Sequence, residues 1–410
     1  MLAHELTAAS RGQPKYCNTM ILTQCSFCAV DLGLTLGKKC GRCSTRYCGA
    51  ACQVQHWKEG GHDQLCKKIK KAGGAEQHNA NKKYSQAVAV ACRQCAEDTK
   101  GQTCYICTQA LHWKTKEGLV RGCACRGTAG FAHVSCLAEQ AKILFAEAEE
   151  NTPVAKVLSE RSRRWSTCSL CEQNYHGEVR CALGWACWKT YLGRPERDQA
   201  RGLAMNVLGL GLDSADHDED ALSVREAELS MRQRVGSSAH NILAVQANLA
   251  CTYGKIGRHE QASQMDRDVY RGRLELDGEE HEKTLRAAFN YASGLARLER
   301  FAEAVSLLRK TIPVARRVLG ESRELMLKMK KVYASALCHD TDATLDDIRE
   351  AVTTLEDTER IARRVFGGAH PTTTLIEDGL RDARAVLRAR ESGDVASIRE
   401  GVAAMTARDA

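Results

Sequence analysis

The stretch CACRGTAGFAHVSC, residues 123–136, places three cysteines and a histidine in fourteen positions. Two further pairs flank it, so the full order is Cys104-x2-Cys107, x15, Cys123-x-Cys125, x7, His133-x2-Cys136, x31, Cys168-x2-Cys171. Seven thiols and one imidazole, grouped in pairs a turn apart, are enough for two closed tetrahedral zinc sites.

The same arithmetic applies upstream. Cys25/Cys28 and Cys40/Cys43 are followed by Cys48, Cys52, His62 and Cys66, again seven cysteines and one histidine. Residues 25–66 are too few to bury a core that folds alone, so metal binding must supply the folding free energy. Four zinc ions are therefore expected.

Cysteine usage and charge are both uneven. Of the 21 cysteines, 19 precede residue 190, and only Cys251 and Cys338 follow it. The formal charge of +8 divides into +7 over 1–75, +4 over 76–200 and −3 over 201–410. Thiolate ligands are anionic, and neighbouring Lys and Arg offset them. Nucleic-acid binding would rest on charge alone, with few aromatic side chains to stack on bases, and is not expected. The opening MLAHELTAASRGQPKY lacks the apolar core of a signal peptide. No stretch approaches the roughly 18 apolar residues that span a bilayer. The expectation is a soluble intracellular protein, cytoplasmic or nuclear, with no membrane partner and with cysteines kept for metal.

The run RYCGAACQVQHWKEGGHDQLC, residues 46–66, closely resembles a MYND finger. The resemblance implies interleaved ligands, with Cys25, Cys28, Cys48 and Cys52 on one zinc and Cys40, Cys43, His62 and Cys66 on the other. His56 falls at a packing position of that family and is left out of the ligand set. MYND fingers imply contact with proteins, often with short proline-containing peptides. No motif of the SET methyltransferases that carry such fingers is present.

The single residue between Cys123 and Cys125 and the seven before His133 resemble a RING-CH finger. A PHD finger has a similar ligand order but usually more residues in its third pair. The implied cross-brace gives Cys104, Cys107, His133 and Cys136 to one ion and Cys123, Cys125, Cys168 and Cys171 to the other. RING-type zinc does no chemistry itself; in the family it shapes loops that grip a ubiquitin-conjugating enzyme through an apolar residue inside the first pair, here Ile106, with Leu170 in the last pair a second apolar candidate. Two features depart from the family. Its tryptophan after the histidine pair is missing from CLAEQ, residues 136–140, with Trp165 a candidate replacement. The long spacer LAEQAKILFAEAEE has the composition of an inserted helix. A rival assignment lets Cys92/Cys95, or His176 with Cys181, replace one pair; Cys187 and Cys17 carry no assigned role.

Beyond Pro195 the composition shifts to Ala, Leu, Arg and Glu, and the chain repeats with a period of 42. Asn206, Asn248 and Asn290 keep that interval, as do Gly236, Gly278 and Gly320, and Leu243, Leu285 and Leu327. A five-residue insertion shifts the next glycine to Gly367. Each unit reads as two helices, one with Ile242, Val245, Leu249, Tyr253 and Ile256, the next with Ala262, Met265 and Val269. Pro313 should kink or shorten its helix. His240, His281 and His370 open units and are not read as ligands. The period, with GEEHEKTL and GGAHPTTTL between units, resembles the tetratricopeptide repeats of kinesin light chains and implies a solenoid with a concave face for peptides.

The expected fold is mostly α, two zinc-stabilised cross-brace modules followed by a helical-repeat, TPR-like solenoid. The expected order is a tail over 1–24, the MYND-type finger over 25–66, a basic linker and helix over 67–100, the RING-CH-like finger over 101–190, the solenoid over 196–390 and a tail over 391–410. The expected function is a zinc-binding adaptor that recruits proteins or peptide segments through the MYND finger and the solenoid. The alternative is a ubiquitin-protein ligase, with the solenoid holding substrate and the second finger a ubiquitin-conjugating enzyme. No phosphate loop, Ser/His/Asp pattern or open three-ligand zinc site is legible, so no other catalysis is expected.

Overall fold

Closely spaced cysteines leave little room for long elements at the start, and the first ones are short. Strands β1 (Lys38–Lys39) and β2 (Arg46–Tyr47) pair antiparallel, Lys38 opposite Tyr47. Helices α1 (Ala50–Lys58) and α2 (His62–Lys71) follow. Their core is small: Leu32, Tyr47, Ile69 and Ala75 join the buried Cys25, Cys40, Cys43 and Cys66. The computed structural model describes residues 24–30, 32, 36–151, 155–368 and 370–392. The expected tails lie almost wholly outside the described residues, and so does Cys17.

The basic stretch over 67–83, expected to end the helix of the first finger and then become a linker, does end helix α2 at Lys71 but is not a linker beyond it. A turn at Ala72–Gly74 leads directly into α3 (Ala75–Gln94). The Ala75 N–H donates to the Cys43 carbonyl at 3.0 Å, which ties the helix start to the first finger. Ala80, Tyr84, Ala87, Val88 and Ala91 bury one face of α3 at helical spacing.

The inserted helix of the second finger is α4 (Val134–Asn151), followed by α5 (Ala155–Ser162) and a 3-10 turn at Arg163–Trp165. Trp165 is fully buried and meets Tyr191 edge-on at 5.8 Å. Helix α6 (Gly177–Tyr191) is buried nearly all round, including Cys181, Leu183, Trp185, Cys187 and Trp188, and packs against both α3 and α4. The hairpin α7 (Gln199–Ser214) and α8 (Asp218–Arg234) comes next, and α7 packs extensively on α6. Glycines permit that approach: a Cβ on Gly211 would lie 2.7 Å from the Arg180 carbonyl oxygen, and one on Gly184 would lie 3.0 Å from the Leu208 Cα. The compact unit therefore runs on to Ser237, past the boundary expected at residue 196, and a second unit begins at Ser238.

The second unit holds α9 (Ala239–Lys255), α10 (His259–Asp277), α11 (Glu282–Arg297), α12 (Phe301–Leu319), α13 (Glu324–His339), α14 (Leu345–Phe366) and α15 (Pro371–Ser392). Each helix packs on the next, and α11, α13 and α15 also touch in turn, which is the stacking of a solenoid. The periodic glycines close the second helix of each pair. Gly278, Gly320 and Gly367 have φ of 79°, 76° and 85°, a region open to glycine at little cost. The five-residue insertion is split. The α13–α14 turn spans 340–344 where the preceding turn spans 298–300, and α14 has 22 residues where α12 has 19. Helix α12 is not shortened by Pro313: it has the same 19 residues as α10, held between α11 and α13. His281 caps α11, its Nδ1 accepting from the Lys283 N–H at 3.1 Å, and His370 meets the Thr372 N–H in the same way.

One face differs from the apolar pattern. Met265 is only half-buried, while its neighbour Asp266 is buried with Ala262, Ser263, Val269 and Arg273. Burial pushes the Asp266 carboxyl up to about 7, with Arg297 pulling the other way. The folded chain then holds a proton that the unfolded chain releases near pH 4, so stability falls as pH rises from about 4 through 7. Asp266→Asn should flatten that slope and stabilise the second unit by roughly 2–4 kcal/mol at pH 8, with little effect at pH 4, read from urea melts of the full chain.

Candidate metal centres

Four Cys-x-x-Cys pairs adopt one turn. In each, the residue after the second cysteine has positive φ: Ala29 59°, Ser44 60°, Thr108 60° and Glu172 55°. In each, the N–H of that residue donates to the carbonyl of the first cysteine, at 3.0, 2.9, 2.8 and 3.1 Å in chain order. The N–H of the first cysteine donates in turn to the carbonyl five residues on, in Val30, Thr45, Gln109 and Gln173. In the second finger the Ile106 and Leu170 N–H groups also point at the sulfurs of Cys104 and Cys168, each at 3.4 Å. Left-handed backbone is uncommon outside glycine and costs about 1–2 kcal/mol, so its recurrence at four pairs points to a common constraint.

That constraint is visible in the sulfurs. Cys25, Cys28, Cys48 and Cys52 converge, as do Cys40, Cys43, His62 and Cys66, then Cys104, Cys107, His133 and Cys136, then Cys123, Cys125, Cys168 and Cys171, with donor atoms in each set within 4.8 Å of one another. Both fingers are thus interleaved, the first pair converging with the third and the second with the fourth. Cys28 and Cys48 sulfurs are 3.6 Å apart, Cys48 and Cys52 3.4 Å, Cys40 and Cys66 4.0 Å, and Cys125 and Cys168 3.8 Å. Thiolates tetrahedral about zinc at about 2.3 Å stand about 3.8 Å apart, so zinc fits the donor set. None of these cysteines forms a disulfide.

The two histidines present different atoms. His62 turns Nε2 to the Cys43 sulfur at 3.5 Å. His133 turns Nδ1 to the sulfurs of Cys107 and Cys136, at 3.4 and 3.6 Å, while its Nε2 donates to the Ala110 carbonyl at 3.4 Å and fixes the tautomer. Gly130, within CACRGTAGFAHVSC, has φ 85°, and a Cβ there would lie 2.6 Å from the Cys125 Cβ and 3.3 Å from the Cys123 sulfur. Glycine leaves room for the sulfurs.

Each cluster holds one thiol primed for ionisation. Burial pushes Cys25, Cys40, Cys104 and Cys171 up, but hydrogen bonds outweigh it. Knuckle N–H groups bring Cys25 to about 7, the His62 ring and the N–H groups of Arg42 and Cys43 bring Cys40 to about 6, and Cys171 falls to about 7, chiefly through the Gln173 N–H. Cys104 is lowered in the same way. Burial first, and neighbouring thiolates after it, push Cys66 and Cys125 up, each to about 11. A bound cation removes that repulsion.

The remaining candidates have other employment. Cys92 meets the Gly118 carbonyl at 3.4 Å and Cys95 the Arg121 carbonyl at 3.8 Å, holding α3 to the second finger. Cys187 is fully buried in α6, and His176 precedes that helix outside the four clusters. His56 is a packing residue, its Nδ1 3.0 Å from the Tyr47 hydroxyl. Ile106 and Leu170 are 37% and 51% exposed. Their knuckles are adjacent, since the Tyr105 hydroxyl lies 3.1 Å from the Ser169 hydroxyl. Leu111 and Trp113, which the spacing did not single out, are exposed apolar side chains of the same finger; the signal was present in LHW, residues 111–113. The structure also assembles a three-residue group that no local spacing reveals, Glu178, Cys181 and His217.

Residues 15–66 match the family model of the MYND finger, residues 104–171 that of the RING-variant domain and residues 284–323 that of the tetratricopeptide repeat. No curated protein matches the chain. It is similar to the nearly identical TPR-like repeats of a Podosopora anserina kinesin light chain, at 19% identity over 52% of this chain and 98% of that one, with a TM-score of 0.40. BtubC (BKLC) of P. vanneervenii is similar at 16% identity over 67% and 90%, TM-score 0.40, and RapI in its apo form at 15% over 61% and 85%, TM-score 0.38. With MYND, RING-variant and TPR modules in one chain, the protein is of the zinc-binding, protein-interaction class.

Cys168→Ser should release one zinc equivalent per chain, measured by mass spectrometry of metal content, and Cys92→Ser should release none. Equal loss from the two variants would move Cys92 into the ligand set.

Proposed function

We propose that this protein is an adaptor holding four structural zinc ions, with its solenoid recruiting acidic, partly apolar peptide segments. The observation that carries the reading is a cleft of about 370 Å³ in the second unit, lined mainly by α11, α13 and α15. Phe289, Val332 and Leu375 supply apolar surface; Arg297, Lys328 and Lys331 are its cationic side chains, Lys328 paired with Glu324 at 2.8 Å, and Glu299 is its acidic one. A smaller cleft of about 230 Å³ between α9, α10 and α11 shares His259, Phe289, Ser293 and Arg297 with it, which extends the groove along the repeats. An extended segment with an apolar side chain flanked by carboxylates complements such a surface. The MYND finger offers a separate contact face: Val54 and Trp57, three residues apart on α1, are both exposed. A reducing intracellular compartment, cytoplasmic or nuclear, suits the thiolate ligands.

Fluorescence anisotropy against a panel of acidic and basic peptides carrying aromatic or aliphatic residues tests this. Acidic members should bind and weaken with added salt. Phe289→Ala and Lys328→Glu should each cost about tenfold in affinity. Indifference of every peptide to both substitutions would overturn the groove as the recruiting surface.

The ligase reading is kept because the side chains it requires are solvent-facing. Ile106 and Leu170 project from adjacent knuckles, and Leu111 and Trp113 add apolar surface on that finger. Ubiquitin transfer by the purified chain across a panel of conjugating enzymes is the test, with Ile106→Ala and Cys168→Ser as controls. Transfer abolished by Ile106→Ala supports a ligase; no transfer by the zinc-loaded chain leaves the adaptor alone.

A further inference from the structure

We propose that Glu178, Cys181 and His217 form a further zinc site, with three protein ligands and a fourth position open to solvent. The three donor atoms lie within 4.8 Å of one another, and His217 Nε2 is 3.2 Å from a Glu178 carboxylate oxygen. A tetrahedral ion with bonds of about 2.0–2.3 Å needs donors about 3.3–3.8 Å apart, so small side-chain movements complete the geometry.

The backbone holds the three residues in place. Glu178 and Cys181 are three residues apart on α6 and share one face. His217 arrives from the turn between α7 and α8. That turn is tight: Asp216 has φ 56°, the His217 N–H donates to the Leu212 carbonyl at 3.0 Å, and the Ser214 hydroxyl accepts from the Gly177 N–H at 2.8 Å. The close approach of α7 to α6 at Gly211, 3.1 Å from the Cys181 Cα to a Cβ placed there, brings the turn over the thiol.

The chemistry is that of a borderline metal. One sulfur, one imidazole nitrogen and one carboxylate oxygen suit zinc, whereas magnesium and calcium prefer oxygen alone. Asp220 approaches Cys181 and His217 and adds negative charge beside them, while Lys83 pairs with it at 3.7 Å. Burial, with Glu178 and Asp220, pushes the Cys181 thiol up to about 12, so zinc takes the thiolate by displacing the thiol proton to solvent. The four closed sites have four protein donors each; this one has three and a half-exposed histidine, so it binds more weakly and exchanges faster. Its occupant would bridge α6 to the α7–α8 hairpin.

The test is cobalt titration of the full chain after weakly held metal has been removed with a mild chelator, leaving the closed sites loaded. One further cobalt per chain should bind with a thiolate-to-cobalt charge-transfer band, unaffected by excess magnesium. His217→Ala, an exposed side chain whose loss leaves the core intact, and Cys181→Ser should each weaken that uptake by about tenfold or more, and Cys181→Ser should remove the band. If Cys181→Ser does not fold, Glu178→Gln takes its place and should weaken uptake likewise. No uptake beyond the closed sites, or uptake unchanged in His217→Ala, would overturn the site.

Discussion

The left-handed residue after each of the four Cys-x-x-Cys pairs in the clusters is the constraint on which the first unit depends. Ala29, Ser44, Thr108 and Glu172 sit where an L-residue is strained by about 1–2 kcal/mol, and none is glycine. A metal–thiolate cluster, at about 10–16 kcal/mol for structural zinc, outweighs that strain several-fold. The turn cannot relax without moving a sulfur, so what it carries is fixed as well. Ile106 and Leu170 occupy equivalent knuckle positions and owe their exposure to the same geometry: the N–H of each points inward at sulfur, at 3.4 Å, while the side chain faces solvent.

Around these fixed turns the unit is held by ordinary packing, with α6 as its spine. The metal-free cysteines belong to that packing. Cys92 and Cys95 reach backbone carbonyls across from α3, and Cys187 fills α6 as a small apolar group. In a chain with so many thiols, the ligands of the four closed clusters differ from the rest by convergence. Each cluster joins one knuckle pair to a second pair, and Cys52, Cys66 and Cys136 reach theirs from α1, α2 and α4.

This difference explains what was legible beforehand. Ligand order is local, so both interleaved sets could be read from spacing together with the family resemblances, and the period of 42 could be read because its glycines must take positive φ. The small and polar residues from Ala75 to Lys83 read as a linker because Ala80 joins a face with Tyr84 whose burial depends on α6 roughly a hundred residues away. The boundary near Pro195 was misplaced for a related reason: a proline marks a turn, while the glycines at 184 and 211 that weld α7 to α6 look like weak helix positions in sequence. Met265 was chosen over Asp266 because apolar periodicity cannot foresee a buried carboxyl. Glu178, Cys181 and His217 are brought together only by the α7–α8 turn, so their grouping has no signature short of the fold.

The buried carboxyl also bears on the groove. Asp266 and Arg297 both line the smaller cleft, and Arg297 reaches into the larger one. Were Asp266 an ordinary carboxylate, it would cancel the arginine charge at close range and leave that end of the groove neutral. With its carboxyl pushed up to about 7, it is substantially protonated near neutral pH and cancels only part of that charge. Exposed charges along the rim lose much of their pull to solvent and salt, whereas a cation at the end of a partly enclosed cleft keeps more of it. The residue that costs the repeat stability at high pH therefore leaves the Arg297 charge less fully cancelled at neutral pH, and an acidic segment bound as proposed would gain there an attraction that a fully ionised Asp266 would remove.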